Sequence, residues 1–394
     1  MFLLEHDAKQ LLARHGVPAP GGAWVGPRGE GLDACAADLS GPQVLKAQVQ
    51  GGGRGRAGGI RKVASPTDLA AAIESIAGPR GRLGDGRPIA GFRVESVVEG
   101  AQEAYLSLAV DPAAARIRVM VSARGGVDIE QVAAEWLVQE LAPLDPSAVA
   151  RAVRTAVARL PGLGHGPHAA AMREALAAAG DTLAAAFVDL EAQLIEINPL
   201  FVFPDGGWLA GDAKVVTDDS ALGRQGVQRA LLERAGARYE DVDRKWRHGC
   251  DYVVVDPDGE IGLLTTGAGL SMMLIDELRA RGLKPYNFLD VRTGGLRGDP
   301  RRLVDVLQWM TAGSRLRVLL VNIFAGITDL GEFASLLGQA LEAVPALRVP
   351  VVARLVGPGL DAAREQLAAR GIEVETDLDR AVARVRERLG EPCA

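Results

Sequence analysis

Apolar positions change their period along the chain. Residues 5–15 set Leu11 and Leu12 on one side of a 3.6-residue repeat, which predicts an amphipathic helix. Gly16-Val17-Pro18-Ala19-Pro20 stops it. Runs at 43–50, 92–99, 105–110 and 117–122 read as strands, the last two an antiparallel pair joined by Asp111-Pro112. Residues 146–160 and 169–190 carry alanine-rich helical patterns. Asp145 suits the N-cap of the first, and Pro146 its first turn. A short strand at 193–197 is expected to end at Asn198-Pro199. Residues 200–203 and 208–214 form another expected pair around Pro204-Asp205-Gly206-Gly207.

The grammar shifts after a charged helical stretch at 223–249, where a domain boundary is expected. Strands are predicted at 252–255, 262–266, 316–324, 349–355 and 372–376. Helices are predicted between and after them at 270–281, 330–343, 362–370 and 379–389. The run 316–324 is mostly apolar, as in a strand buried on both faces. Strand–helix alternation predicts a doubly wound parallel sheet, preceded by a mixed α and β region with antiparallel pairs.

Composition adds bounds. The 394 residues suffice for two or three domains, and 48% hydrophobic with 24% charged residues is ordinary for a globular protein. A net charge of −6 excludes a chain built as a whole for nucleic acid. No apolar run reaches membrane-span length, and the acidic N-terminus does not read as a signal peptide. Cys35, Cys250 and Cys393 are odd in number and far apart, giving neither a disulfide framework nor zinc spacing. A reduced, cytoplasmic setting is expected.

The candidate chemistry begins at Lys46–Lys62, KAQVQGGGRGRAGGIRK. Six of the nine residues from Gly51 to Gly59 are glycine. Backbone N–H groups in such a loop can close on phosphate oxygens, with Lys46, Arg54 and Arg56 adding charge. The spacing is neither a P-loop nor a dinucleotide fingerprint, and a flexible hairpin is the plainer alternative. Lysine is otherwise scarce in this arginine-rich chain, and Lys46 lies inside an apolar strand, which points to a need for a compact ammonium.

Asn198 and Asp212, each at a strand end, offer two hard oxygens suited to Mg²⁺ beside a phosphate. Taken singly, each could equally be a turn or cap residue. Glu95, in an apolar run, needs a partner, and Glu103 flanks the same candidate. Glu95 could accept from an adenine amino group or ribose hydroxyl, or form a core ion pair. In the C-terminal region, Ala325-Gly326-Ile327-Thr328 leads from a strand into a helix at Asp329, a candidate anion site. Thr266-Gly267-Ala268-Gly269 is a second such turn. Thr328 as a plain N-cap is the alternative. The five histidines suggest no nucleophile; His165 and His168 are expected in an exposed loop. A chain that binds nucleotide and anion but lacks a covalent catalyst reads as half an enzyme.

These motifs resemble the β subunit of succinate–CoA ligase (succinyl-CoA synthetase, ADP-forming) over almost the full length. The resemblance is carried by Glu5-His6-Asp7-Ala8-Lys9-Gln10-Leu11-Leu12, by Lys46 to Gly59 and by Leu194-Ile195-Glu196-Ile197-Asn198-Pro199-Leu200. It continues through Gly267-Ala268-Gly269-Leu270, Asn287-Phe288-Leu289-Asp290-Val291 and Val321-Asn322-Ile323-Phe324-Ala325-Gly326-Ile327. It implies an ATP-grasp region over 1–235 and a flavodoxin-like CoA-ligase domain over 236–394. It also implies conversion of ATP, CoA and a carboxylic acid to acyl-CoA, ADP and phosphate, in the setting of the tricarboxylic acid cycle. The phosphorylated histidine lies on a separate α subunit that also holds most of the CoA, in an αβ or (αβ)₂ assembly. By resemblance, Lys46, Gly53, Arg54, Gly55, Glu95, Val98 and Glu103 bind nucleotide, and Asn198 and Asp212 hold Mg²⁺. Gly326, Ile327 and Thr328 lie at the acid and phosphohistidine site. Pro20 matches the ATP-using branch.

The departures cluster on the acid side. Thr266 replaces an asparagine that contacts the acid, and Arg292-Thr293-Gly294 replaces three glycines. Val98 often corresponds to a threonine, Arg56 to a lysine, and 142–170 departs from the pattern. The expected acid is succinate; malate or another acid is the alternative. An ATP-grasp carboxylate–amine ligase and a non-catalytic ATP-binding partner are the competing readings.

Overall fold

The computed structural model describes residues 1–32, 41–126, 134–164, 166–326 and 328–390. Cys35, His165, Ile327 and Cys393 lie outside the described residues. The chain forms two compact units, Met1–Arg238 and Tyr239–Ala394.

In the first unit, β1 (Gly22–Val25), β2 (Gln43–Gln48), β3 (Ile60–Val63) and β4 (Gly91–Ser96) form an antiparallel sheet in the order β1-β4-β2-β3. Side chains alternate across it. Leu45, Ala47, Phe92 and Val94 pack with Leu69, Ile73 and Ile76 near the helix at Leu69–Ala77. The opposite face carries Lys46, Gln48, Arg93 and Glu95, all buried. The helix α1 (Glu5–Ala13) covers that face with Glu5, His6 and Lys9. The polar stripe of this amphipathic helix is therefore inside the protein.

A second antiparallel sheet comprises β5 (Gln102–Asp111), β6 (Arg116–Ser122), β7 (Val138–Ala142), β8 (Ala192–Val202), β9 (Trp208–Ala210) and β10 (Ala213–Thr217). Its order is β10-β8-β5-β6-β7, with β9 on β8. The expected pair at 105–110 and 117–122 is β5 with β6. The expected break at Asn198-Pro199 is not an end: β8 runs through it. Ala104 pairs Leu200 and Leu106 pairs Ile197, so the strand bulges at the dipeptide. A bulge tolerates a proline that donates no ladder hydrogen bond. Helices α2 (Pro146–Ala158) and α3 (Pro167–Asp189) pack on one another and toward this sheet. Asp145 caps α2 by accepting from Ala148 N, 2.8 Å away. His168 sits in the first turn of α3, exposed but helical rather than in a loop.

In the second unit, β11 (Asp251–Val254) and β13 (Asn287–Asp290) form an antiparallel pair. The strands β12 (Ile261–Thr265), β14 (Val318–Phe324), β15 (Val351–Val356) and β16 (Val374–Glu375) form the parallel sheet in that order. The expected strand at 252–255 thus lies outside the parallel sheet. On β14, Leu319, Val321 and Ile323 join one core cluster, and Val318 and Leu320 join the other. Burial on both faces is why this run is apolar at every position but Asn322.

Close helix contact gives a stability test. A Cβ at Gly180 of α3 would overlap the Val153 side chain of α2. Gly180→Ala is expected to destabilise the first unit by about 1–3 kcal/mol, the usual cost of overpacking. A denaturant titration showing no loss would refute this account of the α2–α3 contact.

Candidate functional site

Alternation along β2 and β4 brings Lys46 and Arg93 opposite one another, with Glu95 two residues on. Here α1 adds Glu5 and Lys9, and the glycine loop after β2 returns Arg54. The turn before β10 adds Asp212. Four cations meet three carboxylates in this cluster. Lys46 Nζ lies 2.9 Å from Glu5 Oε1, 2.7 Å from Glu95 Oε2 and 2.6 Å from the Gly211 carbonyl. Lys9 Nζ lies 2.8 Å from Glu5 Oε1, 2.5 Å from Glu95 Oε1 and 2.8 Å from the same carbonyl. Arg54 donates to Glu5, to Asp212 Oδ2 at 2.7 Å and to the Ala47 carbonyl at 3.2 Å. Arg93 pairs with Glu95.

Burial acts most strongly on these groups, but the partners decide the balance. On its own burial would raise the Glu5 carboxyl; Arg54, Lys46 and Lys9 outweigh it and hold the group well below 4.5. Burial depresses Lys46, yet Glu5, Glu95 and Asp212 leave it raised above 10.5. Lys9 stays lowered because burial, joined by the Lys46 and Arg93 charges, outweighs the help from Glu5 and Glu95. Burial, then the Arg93 guanidinium, pushes the His6 imidazole down from 6.5 to about 4. Arg93 Nη1 lies 3.1 Å from His6 Nδ1, a contact that suits a neutral ring.

Beside the cluster opens a cleft of about 680 Å³. Lys46, Gly53, Arg54, Gly55, Glu95, Val98, Glu103, Asn198 and Asp212 all line it. Gly51 and Gly53 adopt φ of +95° and +75°, the left-handed region that glycine makes accessible. The Arg54 guanidinium turns inward to Glu5 and Asp212, so its charge braces the loop rather than projecting into the cleft. Glu95 is likewise ion-paired, one of the two alternatives its sequence context left open. Sequence reasoning did not single out Glu5, Glu196, Lys62 or Lys214, which also line the cleft. Lysine scarcity, the clue used for Lys46, applied equally to Lys9, Lys62 and Lys214.

Asn198 and Asp212 are neighbours across β8 and β10: Asn198 N donates to the Asp212 carbonyl at 3.3 Å. Asn198 Oδ1 accepts from Gly126 N at 2.8 Å. A Cβ at Gly126, φ +71°, would collide with the Glu103 carboxylate, which ties these two cleft positions together. Two hard oxygens, one at the β8 bulge and one just before β10, fit a cation that keeps most of its shell for water and phosphate. Among the described residues, no three His, Cys, Asp or Glu side chains converge as metal ligands, and no histidine lines the cleft.

In the second unit, Thr266 follows β12, and Gly326 and Thr328 follow β14, the neighbouring strand. Thr328 Oγ1 lies 3.0 Å from Thr293 Oγ1. Thr328 is not the helix cap. Asp329 takes that role for the helix Leu330–Ala343, accepting from Glu332 N at 2.9 Å. The chain's own carboxylate thus offsets the positive helix end. Arg292, at φ +50°, pairs through Nη2 with Asp251 Oδ2 at 2.6 Å. Asp290 Oδ1 accepts from Gly267 N at 2.8 Å and fixes the other turn.

The fold and the cleft define an ATP-grasp protein with an appended CoA-ligase domain: the family models of these two domains match residues 2–202 and 264–386. Among curated relatives, the succinate–CoA ligase (ADP-forming) subunit beta of Thioalkalivibrio sulfidiphilus is 37% identical over 95% of this chain and 96% of its own length. That of Chloroflexus aurantiacus is 37% identical over 93% of each. The chain belongs to the family of succinate–CoA ligase (ADP-forming) β subunits. A solved ATP citrate lyase from Methanothrix soehngenii, in complex with citrate and coenzyme A, shares the fold. Its TM-score is 0.73 at 18% identity, covering 99% of each chain. Among the described residues, no helix is long and apolar enough to cross a membrane.

The His6 environment predicts a pH dependence. Between pH 6.5 and about 4 the unfolded chain binds a proton that folded His6 refuses. Stability is therefore greater above 6.5 and falls as pH drops through this window, by up to roughly 3 kcal/mol from this group. Denaturant midpoints measured from pH 6.5 to 4.5 should fall less steeply in His6→Gln than in the parent. Equal slopes would refute the assignment.

Proposed function

We propose that the chain is the β subunit of an ATP-dependent acid–CoA ligase, acting with a separate α subunit that carries the phosphorylated histidine and most of the CoA contacts. The overall conversion is ATP, CoA and a carboxylic acid to acyl-CoA, ADP and phosphate, in the cytoplasm, with succinate the expected acid. The observation that carries this reading is one cleft shared by the glycine loop, Lys46 and the Asn198–Asp212 pair. It lies in a chain similar along its length to ADP-forming β subunits.

Within that cleft each group has a distinct task. Lys46 offers a compact ammonium to a phosphate oxygen. Backbone N–H groups of Gly53, Arg54 and Gly55 approach the same phosphates, while the Arg54 side chain holds the loop to Glu5 and Asp212. Val98 and Glu103 border the nucleoside side. Asn198 and Asp212 would hold Mg²⁺, which neutralises phosphate charge when bound. Gly326 and Thr328, with Thr266, form the rim proposed to receive the acid and the partner's phosphohistidine, a role the resemblance extends to Ile327. The Thr266 and Arg292 replacements favour testing malate and other acids beside succinate.

Two measurements test this reading. Lys46→Ala should weaken MgATP binding by roughly tenfold or more, the scale of a lost charge-assisted phosphate contact. Unchanged affinity would remove the phosphate assignment. Co-expressed with a histidine-bearing α subunit, the chain should form a CoA thioester in an ATP-dependent assay across succinate, malate and monocarboxylic acids. ATP binding without turnover on any acid would instead support a non-catalytic nucleotide-binding partner.

A further inference from the structure

Lys9 and Lys46 make the same three contacts. Each ammonium has three N–H donors. Each lies 2.5–2.9 Å from Glu5, Glu95 and the Gly211 carbonyl; Lys9 donates to Glu95 and the carbonyl, Lys46 to Glu5 and the carbonyl. Lys46 is thereby held on three sides, and turning it to a phosphate loosens at least one of these contacts. Only Lys46 of the two lines the cleft. Lys9 is 3% exposed, on α1, behind the carboxylates. Removing Lys46 from such a site would normally strand buried acceptors, and stranding a buried charge is costly. Here Glu5 retains Lys9 and Arg54, Glu95 retains Lys9 and Arg93, and the Gly211 carbonyl retains Lys9.

We propose that Lys9 is a positioning residue for nucleotide binding. It is a second ammonium that keeps Glu5, Glu95 and the Gly211 carbonyl paired when Lys46 turns to a nucleotide phosphate. The inference rests on the reading that Lys46 serves the phosphates. Lys9 touches no nucleotide; it lowers the cost of the exchange. Glu5 is the group whose pairing Lys9 most directly protects, because it joins both lysines to Arg54 of the glycine loop.

The test is a double-mutant cycle on the full chain, read as the dissociation constant for MgATP by titration calorimetry. Lys9→Met should weaken binding by roughly tenfold or more, because Lys46 is then the sole ammonium on the box. The loss should persist at 0.5 M salt, since a buried contact is little screened. In Glu5→Gln/Lys9→Met, affinity should return to within about threefold of Glu5→Gln alone, because the carboxylate needing the stand-in is gone. If Lys9→Met does not fold, that last pair of variants decides. A merely structural Lys9 would lower the melting temperature while leaving MgATP affinity within about twofold, and that result overturns the proposal. So does a Lys9→Met loss that vanishes in salt, or a double variant tenfold or more weaker than Glu5→Gln. Lys46→Ala separates the two readings. If it weakens binding and Lys9→Met does not, only the stand-in role fails. If neither variant does, the phosphate reading fails first.

Discussion

The first unit depends on one polar interface: the charged stripe of α1 laid against the charged face of the β1-β4-β2-β3 sheet. An apolar helix covering that face would leave two buried cations, Lys46 and Arg93, to share the single Glu95 carboxylate, a costly imbalance of buried charge. Instead Glu5 and Lys9 complete the pairing, and His6 N donates to Gln48 Oε1 at 2.9 Å. Hydrophobic burial supports the outer face through Leu45, Phe92 and Ile73, while the inner face is specified by charge. Such a cluster adds less to stability than an apolar core of equal size. What it provides is a set of fixed ammonium and guanidinium positions at the wall of the cleft.

The same interface explains how the cleft is assembled from distant sequence. Glu5, Lys46, Glu95 and Asp212 span most of the first unit, yet they sit within hydrogen-bond reach of one ammonium or one guanidinium. The β8 bulge brings Asn198 beside Asp212, and Gly126 fastens Asn198 from the β5–β6 side. Each contact joins two elements, so the phosphate loop, the proposed cation ligands and the N-terminal helix are tied to one another by direct hydrogen bonds and ion pairs.

Much of this was legible in the chain. The glycine loop, the strand carrying Lys46 and the Asn198–Asp212 pair could be read from residue type and local pattern, and they meet in one cleft. The parallel sheet of the second unit followed from strand–helix alternation. What was not legible has physical causes. A 3.6-residue period separates polar from apolar stripes but cannot show that the polar stripe of α1 meets a polar sheet face. Asn198-Pro199 looks like a strand end because proline punctuates sequence, whereas a bulge absorbs it. The pairing of β11 with β13, and the contact of Thr328 with Thr293, depend on neighbours far along the chain.

The parallel sheet carries its own implication for how this lineage changes. Its two cores lie on the faces of β12, β14 and β15, whereas Thr266, Gly326 and Thr328 sit beyond the strand ends. Replacement at those tips leaves both packed layers untouched. Substitution at the rim can therefore alter its chemistry without repacking either core. The charged box around Lys46 is less free to change, because Glu5 and Glu95 each hold both lysines and an arginine.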